Sequence, residues 1–180
     1  MKCLPLARDY SPLMTSADRA TLDRILRDYA GFAHRLAASY EADPETARDL
    51  TQEILMAVWR AWPAFRRQCS ERTYVARIAH LRIATHVERA VRQPRRVELP
   101  DDIPASGPTP EEQVMQHEQR ARLVALVRTL PVAYREVALL LLEDFTPAEV
   151  ADTLGISTNA VAVRSTRARE MLRALLEQRP

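Results

Sequence analysis

"TPAEVADTLGISTNAVAVRSTRAREML", Thr146 to Leu172, divides at Gly155 into two apolar-periodic stretches, and that division decides the fold. Thr146-Pro147-Ala148-Glu149 has the spacing of a capping box with Pro at the first helical position, so a helix starts here. Val150, Ala151 and Leu154 then recur at helical spacing and face inward. Gly155 stands where a helix ends with positive φ, Ile156 plugs the turn, and Ser157 or Thr158 caps a second helix. There, Val161, Ala168, Leu172 and Leu175 form the buried stripe, with Ser165 also on it. At roughly 100° per residue, Asn159, Val163, Thr166 and Glu170 point away from that stripe. Ala162 and Arg167 flank this outer face, and Arg164 lies nearer the boundary. Two short helices joined by a tight turn, the second one basic, make a helix-turn-helix, whose second helix docks in a major groove. Its outer face is odd. Ala162 and Val163 stand where a DNA reader is expected to carry long polar side chains.

Working outward, "VAYREVALLLLEDF" forms the helix before this motif, separated by Pro131 from one carrying Leu123, Leu126, Val127 and Leu130. Further upstream, Gln93–Glu112 holds five of the twelve prolines and one of the three glycines, which excludes a helix there. It reads as a linker, extended where Pro is dense. Beyond it, Leu22, Ile25, Leu26, Tyr29, Phe32, Ala33 and Leu36 make one apolar helix face. Asp43 and Pro44 are an N-cap and first helical residue, and the helix that follows turns Leu50, Ile54, Leu55, Val58 and Trp62 inward. Asp49, Gln52 and Glu53 lie away from the centre of that face. After Pro63 a polar loop leads into a long basic helix starting near Thr73. Trp59 and Trp62 sit among apolar neighbours and read as core. No period-2 alternation competes. The expected fold is all-α: two small helical domains joined by a Pro-rich linker, the C-terminal one containing the helix-turn-helix. The divisions fall at a tail 1–15, a first domain 16–96, a flexible acidic linker 97–110 and a C-terminal domain 111–180.

Hydrophobic residues make up 47% of the chain and glycine is scarce, so the chain folds rather than staying disordered. Charge is segregated. Arg60–Arg96 has ten arginines against Glu71 and Glu88, a net +8; Val97–Glu118 has six acids and no Lys or Arg, a net −6. Thr158–Pro180 has five arginines against Glu170 and Glu177, a net +3. Two basic segments fit two surfaces for a polyanion; they fit solvated helix faces as well. Cys3 and Cys69 are too few for a disulfide framework, and no CxxC suggests zinc or redox chemistry. Without a membrane-spanning apolar run or the apolar core of a secretory signal, the chain reads as cytoplasmic, with no membrane insertion.

Two longer patterns extend the argument. "DLTQEILMAVWRAWPAFRRQCSERTYVARIAH", Asp49–His80, resembles the first domain of extracytoplasmic-function (ECF) RNA polymerase sigma factors, which runs D-L-x-Q-E, apolar with Trp, P-x-F-R, then R-T-aromatic-x-x-R-I-A. "LPVAYREVALLLLEDFTPAEVADTLGISTNAVAVRSTRAREML" resembles that family's C-terminal domain. The two patterns come in the family's order, with a linker between. The resemblance implies a dissociable initiation subunit of bacterial RNA polymerase, monomeric when free and commonly held by an anti-sigma factor. It implies that Asp49, Gln52 and Glu53 meet the clamp helices of the polymerase core. As acids and an amide on a helix without basic i+4 partners, they are available to do so. It further implies that the loop and helix carrying Phe65, Arg66, Arg67, Ser70, Arg72, Tyr74 and Arg77 recognise and melt the downstream (−10) promoter element. For Tyr74 the alternatives are stacking on DNA and anchoring the helix. The C-terminal domain, on the polymerase flap, is expected to read the upstream (−35) element through Thr158, Asn159, Ala162, Val163, Arg164, Thr166 and Arg167. The acidic linker, with Glu98, Asp101, Asp102, Glu111 and Glu112, either mimics nucleic acid near the RNA exit path or is simply soluble.

Two departures from the pattern involve three positions. Leu81 stands where relatives often place Asn, and Ala162 and Val163 replace a basic residue and a Ser. Small apolar groups there suit thymine methyls, leaving Asn159, Thr166 and Arg167 for polar contacts. The rival reading is a two-domain helix-turn-helix regulator that binds DNA without acting as a polymerase subunit. An enzyme is not expected: His34, His80, His86 and His117 have no metal-ligand spacing, and GxSxG and P-loop patterns are absent. No catalytic residue, metal or cofactor is therefore assigned.

Overall fold

The computed structural model describes residues 16–92 and 123–177. The expected tail 1–15 and the linker 97–110 lie outside the described residues, as do Glu111, Glu112 and the last three residues. Among the described residues every regular element is helical: α1 (Ser16–Ala38), α2 (Pro44–Ala61), a 3-10 turn (Trp62–Ala64) and α3 (Glu71–Arg92). Helical residues 123–128 (α4) are followed by α5 (Val132–Leu142), α6 (Pro147–Leu154) and α7 (Thr158–Glu177).

In the first module a five-residue turn folds α2 back on α1. Asp43 sets where α2 starts, its carboxylate accepting from the Thr46 N–H at 2.8 Å, with Pro44 at the first helical position. Leu22, Ile25, Phe32, Ala33 and Leu36 of α1 are buried against Leu50, Ile54 and Val58 of α2. Each large aliphatic removed from water there contributes about 1.5–3 kcal/mol. The basic helix α3 closes this layer with Val75, Ala76, Ala79 and Ile83. It begins at Glu71, two residues before the expected Thr73, because Ser70 supplies the cap: its Oγ accepts from the Thr73 N–H at 3.1 Å.

In the second module Val127 and Leu130 pack under α5, whose Val137, Ala138, Leu139 and Leu140 are buried. Asp144, at φ 59°, ends α5 in the left-handed region, and the Phe145 N–H returns to the Leu140 carbonyl at 3.0 Å. This closing geometry satisfies an orphan helix carbonyl and aims Phe145 inward. Gly155, at φ 67°, does the same for α6, with the Ile156 N–H on the Ala151 carbonyl at 3.0 Å. The expected capping box is present at Thr146 and Glu149.

The modules pack against each other, and one apolar cluster runs through both. Phe145 stacks on Phe32 at 5.7 Å between ring centroids. Arg35 of α1 holds Glu143 with two bonds, Nε to Oε1 at 2.5 Å and Nη2 to Oε2 at 2.6 Å.

Candidate nucleic-acid interface

The helix-turn-helix is built by local signals and presents its second helix outward. Ser157, not Thr158, caps α7, its Oγ accepting from the Ala160 N–H at 3.1 Å. Val161, Ser165 and Ala168 are buried and Leu172 and Leu175 half-buried, as the stripe requires. The opposite face carries Thr158, Asn159, Ala162, Val163, Thr166 and Arg167, all exposed, with Arg164 half-buried at the edge. Val163 is 55% exposed, a large apolar side chain without cover. The Thr166 hydroxyl donates to the Ala162 carbonyl at 3.1 Å, so its hydrogen-bonding capacity is turned partly onto its own helix. Arg167 pairs with Glu170 at 2.9 Å, both more than half exposed. Such a surface pair holds little energy and yields readily to a phosphate.

The segment Phe65–Arg77 is organised differently. Trp62, Phe65 and Tyr74 form an aromatic trio with centroids 4.7–6.1 Å apart. Tyr74 is 3% exposed and its hydroxyl donates to the Ala61 carbonyl at 2.8 Å. Of the two alternatives for Tyr74, anchoring α3 fits this geometry: its ring packs with Trp62 and Phe65 and is nearly fully buried. Ser70 serves as the α3 cap. Arg66 and Arg67 are exposed, Arg66 donating to the Pro63 carbonyl at 2.9 Å and Arg67 at φ 55°. Arg72 lies 4.0 Å over the Phe145 ring of the second module. Arg77 donates to the Asp152 carbonyl of α6 and faces the Asp152 carboxylate at 3.6 Å.

Asp49 and Gln52 are exposed on α2. Glu53 is half-exposed and has a basic partner from the next helix: its carboxylate lies 3.0 Å from Arg82 Nε of α3, off the axis of that N–H, as an ion pair across the helix gap. These three residues line a groove of about 630 Å³ between α2 and α3, with Met56, Leu81 and Arg82 on its walls. Met56 is 48% and Leu81 42% exposed. Tyr74 and Arg77, two of the seven residues expected to meet downstream DNA, border the same groove. Periodicity on α2 alone had no way to show the α3 side of this groove. Trp59 corrects another expectation. It is 37% exposed beside the buried Val58, at the rim of α2 rather than in the core.

Among the described residues no cluster of His, Cys, Asp and Glu could hold a metal ion. His80 pairs with Glu136 at 3.0 Å and His86 with Glu41 at 2.5 Å. Cys69 is half-buried against the core. No helix among the described residues is long and apolar enough to cross a membrane.

The described residues make a helical module with a partly apolar groove of mixed charge and a helix-turn-helix whose outer face is exposed, and the comparisons place that combination in the sigma class. Residues 25–93 match the family model for Sigma-70 region 2, and residues 120–172 that for Sigma-70 region 4. The chain is 32% identical over 136 residues to the ECF RNA polymerase sigma factor ShbA of Streptomyces griseus, covering 72% of this chain and 71% of that one. It is 31% identical over 160 residues to the ECF sigma factor SigE of Mycolicibacterium smegmatis, covering 86% of this chain. The chain spans 61% of the length of that SigE and 41% of the SigG of Mycobacterium tuberculosis. Two solved structures share the fold: CnrH in complex with the cytosolic domain of CnrY (TM-score 0.67, 21% identity, 92% of this chain and 93% of that one) and RpoE in complex with the anti-sigma factor NepR from Bartonella quintana (0.68, 19%, 92% and 100%). The chain belongs to the ECF RNA polymerase sigma factor family.

Proposed function

We propose that this chain is a dissociable subunit of bacterial RNA polymerase that directs promoter-specific initiation in the cytoplasm. The observation that carries the reading is the outer face of α7, where Asn159, Ala162, Val163, Thr166 and Arg167 stand side by side, each exposed among the described residues. Ala162 and Val163 give that face a preference for thymine methyls, and Arg167, released from Glu170, reaches a phosphate or a guanine edge. Arg66, Arg67, Arg72 and Arg77 neutralise phosphates around the melted downstream element, which makes binding salt-sensitive. Asp49 and Gln52, with the apolar walls of the α2–α3 groove, dock the polymerase clamp. Glu53 joins them once Arg82 is displaced. A structural neighbour supports a further partner: the sigma factor RpoE was solved in complex with the anti-sigma factor NepR, and we extend an anti-sigma partner to this chain.

Transcription in vitro with core polymerase on genomic DNA tests the proposal. New start sites that share paired upstream and downstream elements are expected on adding the protein. A start-site map identical to that of core alone refutes it, and pull-down of DNA without core would then point to a regulator that is not a polymerase subunit.

A further inference from the structure

The segment assigned to downstream DNA is not uniformly basic. Arg60–Arg96 holds two acids, and one of them, Glu71, is the first residue of α3, between Ser70 and Arg72. An acid at that position suits the helix, whose N-terminal end carries positive partial charge. It does not suit a phosphate backbone drawn in by Arg66, Arg67 and Arg72, because like charges on neighbouring groups repel. Helix start and polyanion make opposite demands on one residue.

Arg24 of α1, 47 residues away in the chain, meets both demands. Its Nη2 donates to the two oxygens of the Glu71 carboxylate, at 3.2 and 3.0 Å, while Nη1 donates to Asp28 Oδ2, one turn along α1, at 3.1 Å. The guanidinium is thus held from its own helix and aimed across at the start of α3. The Arg24 side chain is 48% exposed and that of Glu71 38%, so the pair holds little folding energy. Its effect is electrical: it cancels the single acid within Phe65–Arg72. Arg24 does not itself belong to a basic face. From Ser16 to Asp28, α1 carries Arg19, Arg24 and Arg27 against Asp18, Asp23 and Asp28, a net charge of zero.

We propose that Arg24 is a positioning residue for the downstream-element surface, acting on DNA through Glu71: it holds that carboxylate against α1 and keeps its charge from repelling the phosphates gathered by Arg66 and Arg67. This rests on the assignment of the Phe65–Arg77 segment to the downstream element, and it adds a residue of the first helix to a surface otherwise made of one loop and α3. One unit charge acting over roughly 6–8 Å in high dielectric changes affinity by about threefold, and salt weakens that effect. An arginine that met DNA directly would behave differently, since its loss would weaken binding whatever residue stood at position 71.

The full chain tests this in five forms: unchanged, Arg24→Gln, Glu71→Gln, the double variant, and Arg24→Lys. A labelled mixed-sequence single-stranded DNA oligonucleotide is the probe, read by fluorescence anisotropy at low salt. Arg24→Gln is expected to bind about threefold more weakly than the unchanged chain. Glu71→Gln binds at least as tightly as the unchanged chain, and the double variant matches Glu71→Gln, because no acid is left to cancel. Arg24→Lys keeps the charge and stays close to the unchanged chain. Thermal unfolding of all five is expected to coincide closely, as an exposed pair allows. A double variant as weak as Arg24→Gln overturns the proposal, and so does Arg24→Gln that binds like the unchanged chain. Arg24→Lys as weak as Arg24→Gln overturns it as well. Arg66→Ala combined with Arg67→Ala checks the assignment underneath, with a loss of binding larger than that of Arg24→Gln expected. No loss there refutes the downstream assignment and the proposal with it, whereas a clear loss there beside an unmoved Arg24→Gln refutes the role of Arg24 alone.

Discussion

The two surfaces assigned to DNA differ in what holds them. The α7 face rests on local devices: the Thr146–Glu149 box, the Gly155 turn and the Ser157 cap lie within twelve residues of one another, and the face they present is exposed among the described residues. The Phe65–Arg77 segment is held by long-range packing. Tyr74 sits under Trp62 and Phe65, while Arg72 and Arg77 reach into the other module. A reader built locally keeps its shape wherever its module goes. A segment held by long-range contacts depends on both modules, so a substitution in either one reaches it.

The comparison breaks most easily at Tyr74. If that ring is a core member, Tyr74→Ala costs about 3–5 kcal/mol of stability, whereas Val163→Ala stays within about 0.5 kcal/mol. Urea unfolding of the full chain followed by circular dichroism measures both. A Tyr74→Ala chain as stable as the original would return that ring to the DNA surface. Tyr74→Phe separates ring from hydroxyl, with loss of the bond to the Ala61 carbonyl expected to cost about 1 kcal/mol.

A smaller effect sharpens the other side. Arg167→Ala is expected to weaken binding to duplex carrying the mapped upstream element by about tenfold, within the roughly 1–3 kcal/mol of a good base-edge contact. Glu170→Ala, which frees Arg167 from its partner, leaves affinity equal or slightly higher. Fluorescence anisotropy with a labelled duplex reads both, and unaltered affinity in Arg167→Ala takes that residue off the interface. Scrambling the element distinguishes base reading from phosphate contact: loss of discrimination marks the first, and a salt slope lower by about one marks the second.

Much of this architecture was legible because helix ends are local. Asp43-Pro44, Thr146-Pro147-x-Glu149 and Gly155 each state a boundary within four residues, and the stripes of α1, α2 and α7 follow from periodicity. What was not legible lies far apart in the chain. Glu53 has no basic residue four positions on, yet Arg82 meets it from the next helix. Arg77 and Asp152 are 75 residues apart, and Arg35 and Glu143 are 108 apart, and no periodicity links such pairs. Trp59 looked like core because its neighbours are apolar, but one step of about 100° from the buried Val58 carries it to the rim. The end of α5 was hidden for a different reason: Asp144 takes the left-handed conformation that a glycine would have announced.

The smallest test asks whether the support under α7 is as local as it looks. Glu149 accepts from the Thr146 N–H and hydroxyl, each at 2.9 Å. The Thr146 backbone bond foremost, then the hydroxyl bond, holds the Glu149 carboxyl below the usual glutamate range; Arg72 of the first module adds to this. A carboxyl depressed on folding contributes stability that is fully present above its unfolded pKa. That stability is lost as pH falls through the lower folded value. Glu149→Gln is therefore expected to cost about 1 kcal/mol or less at neutral pH, and the gap from the unchanged chain closes on acidification below the ordinary glutamate pKa. Thermal unfolding of both chains from neutral pH downward measures that gap. A gap that persists undiminished in acid means the box acts by shape and not by charge. Repeating the titration in an Arg72→Gln background isolates the inter-module share. A local reader predicts that the gap barely moves, and a large change would mean that α6, and the helix it supports, depend on the first module after all.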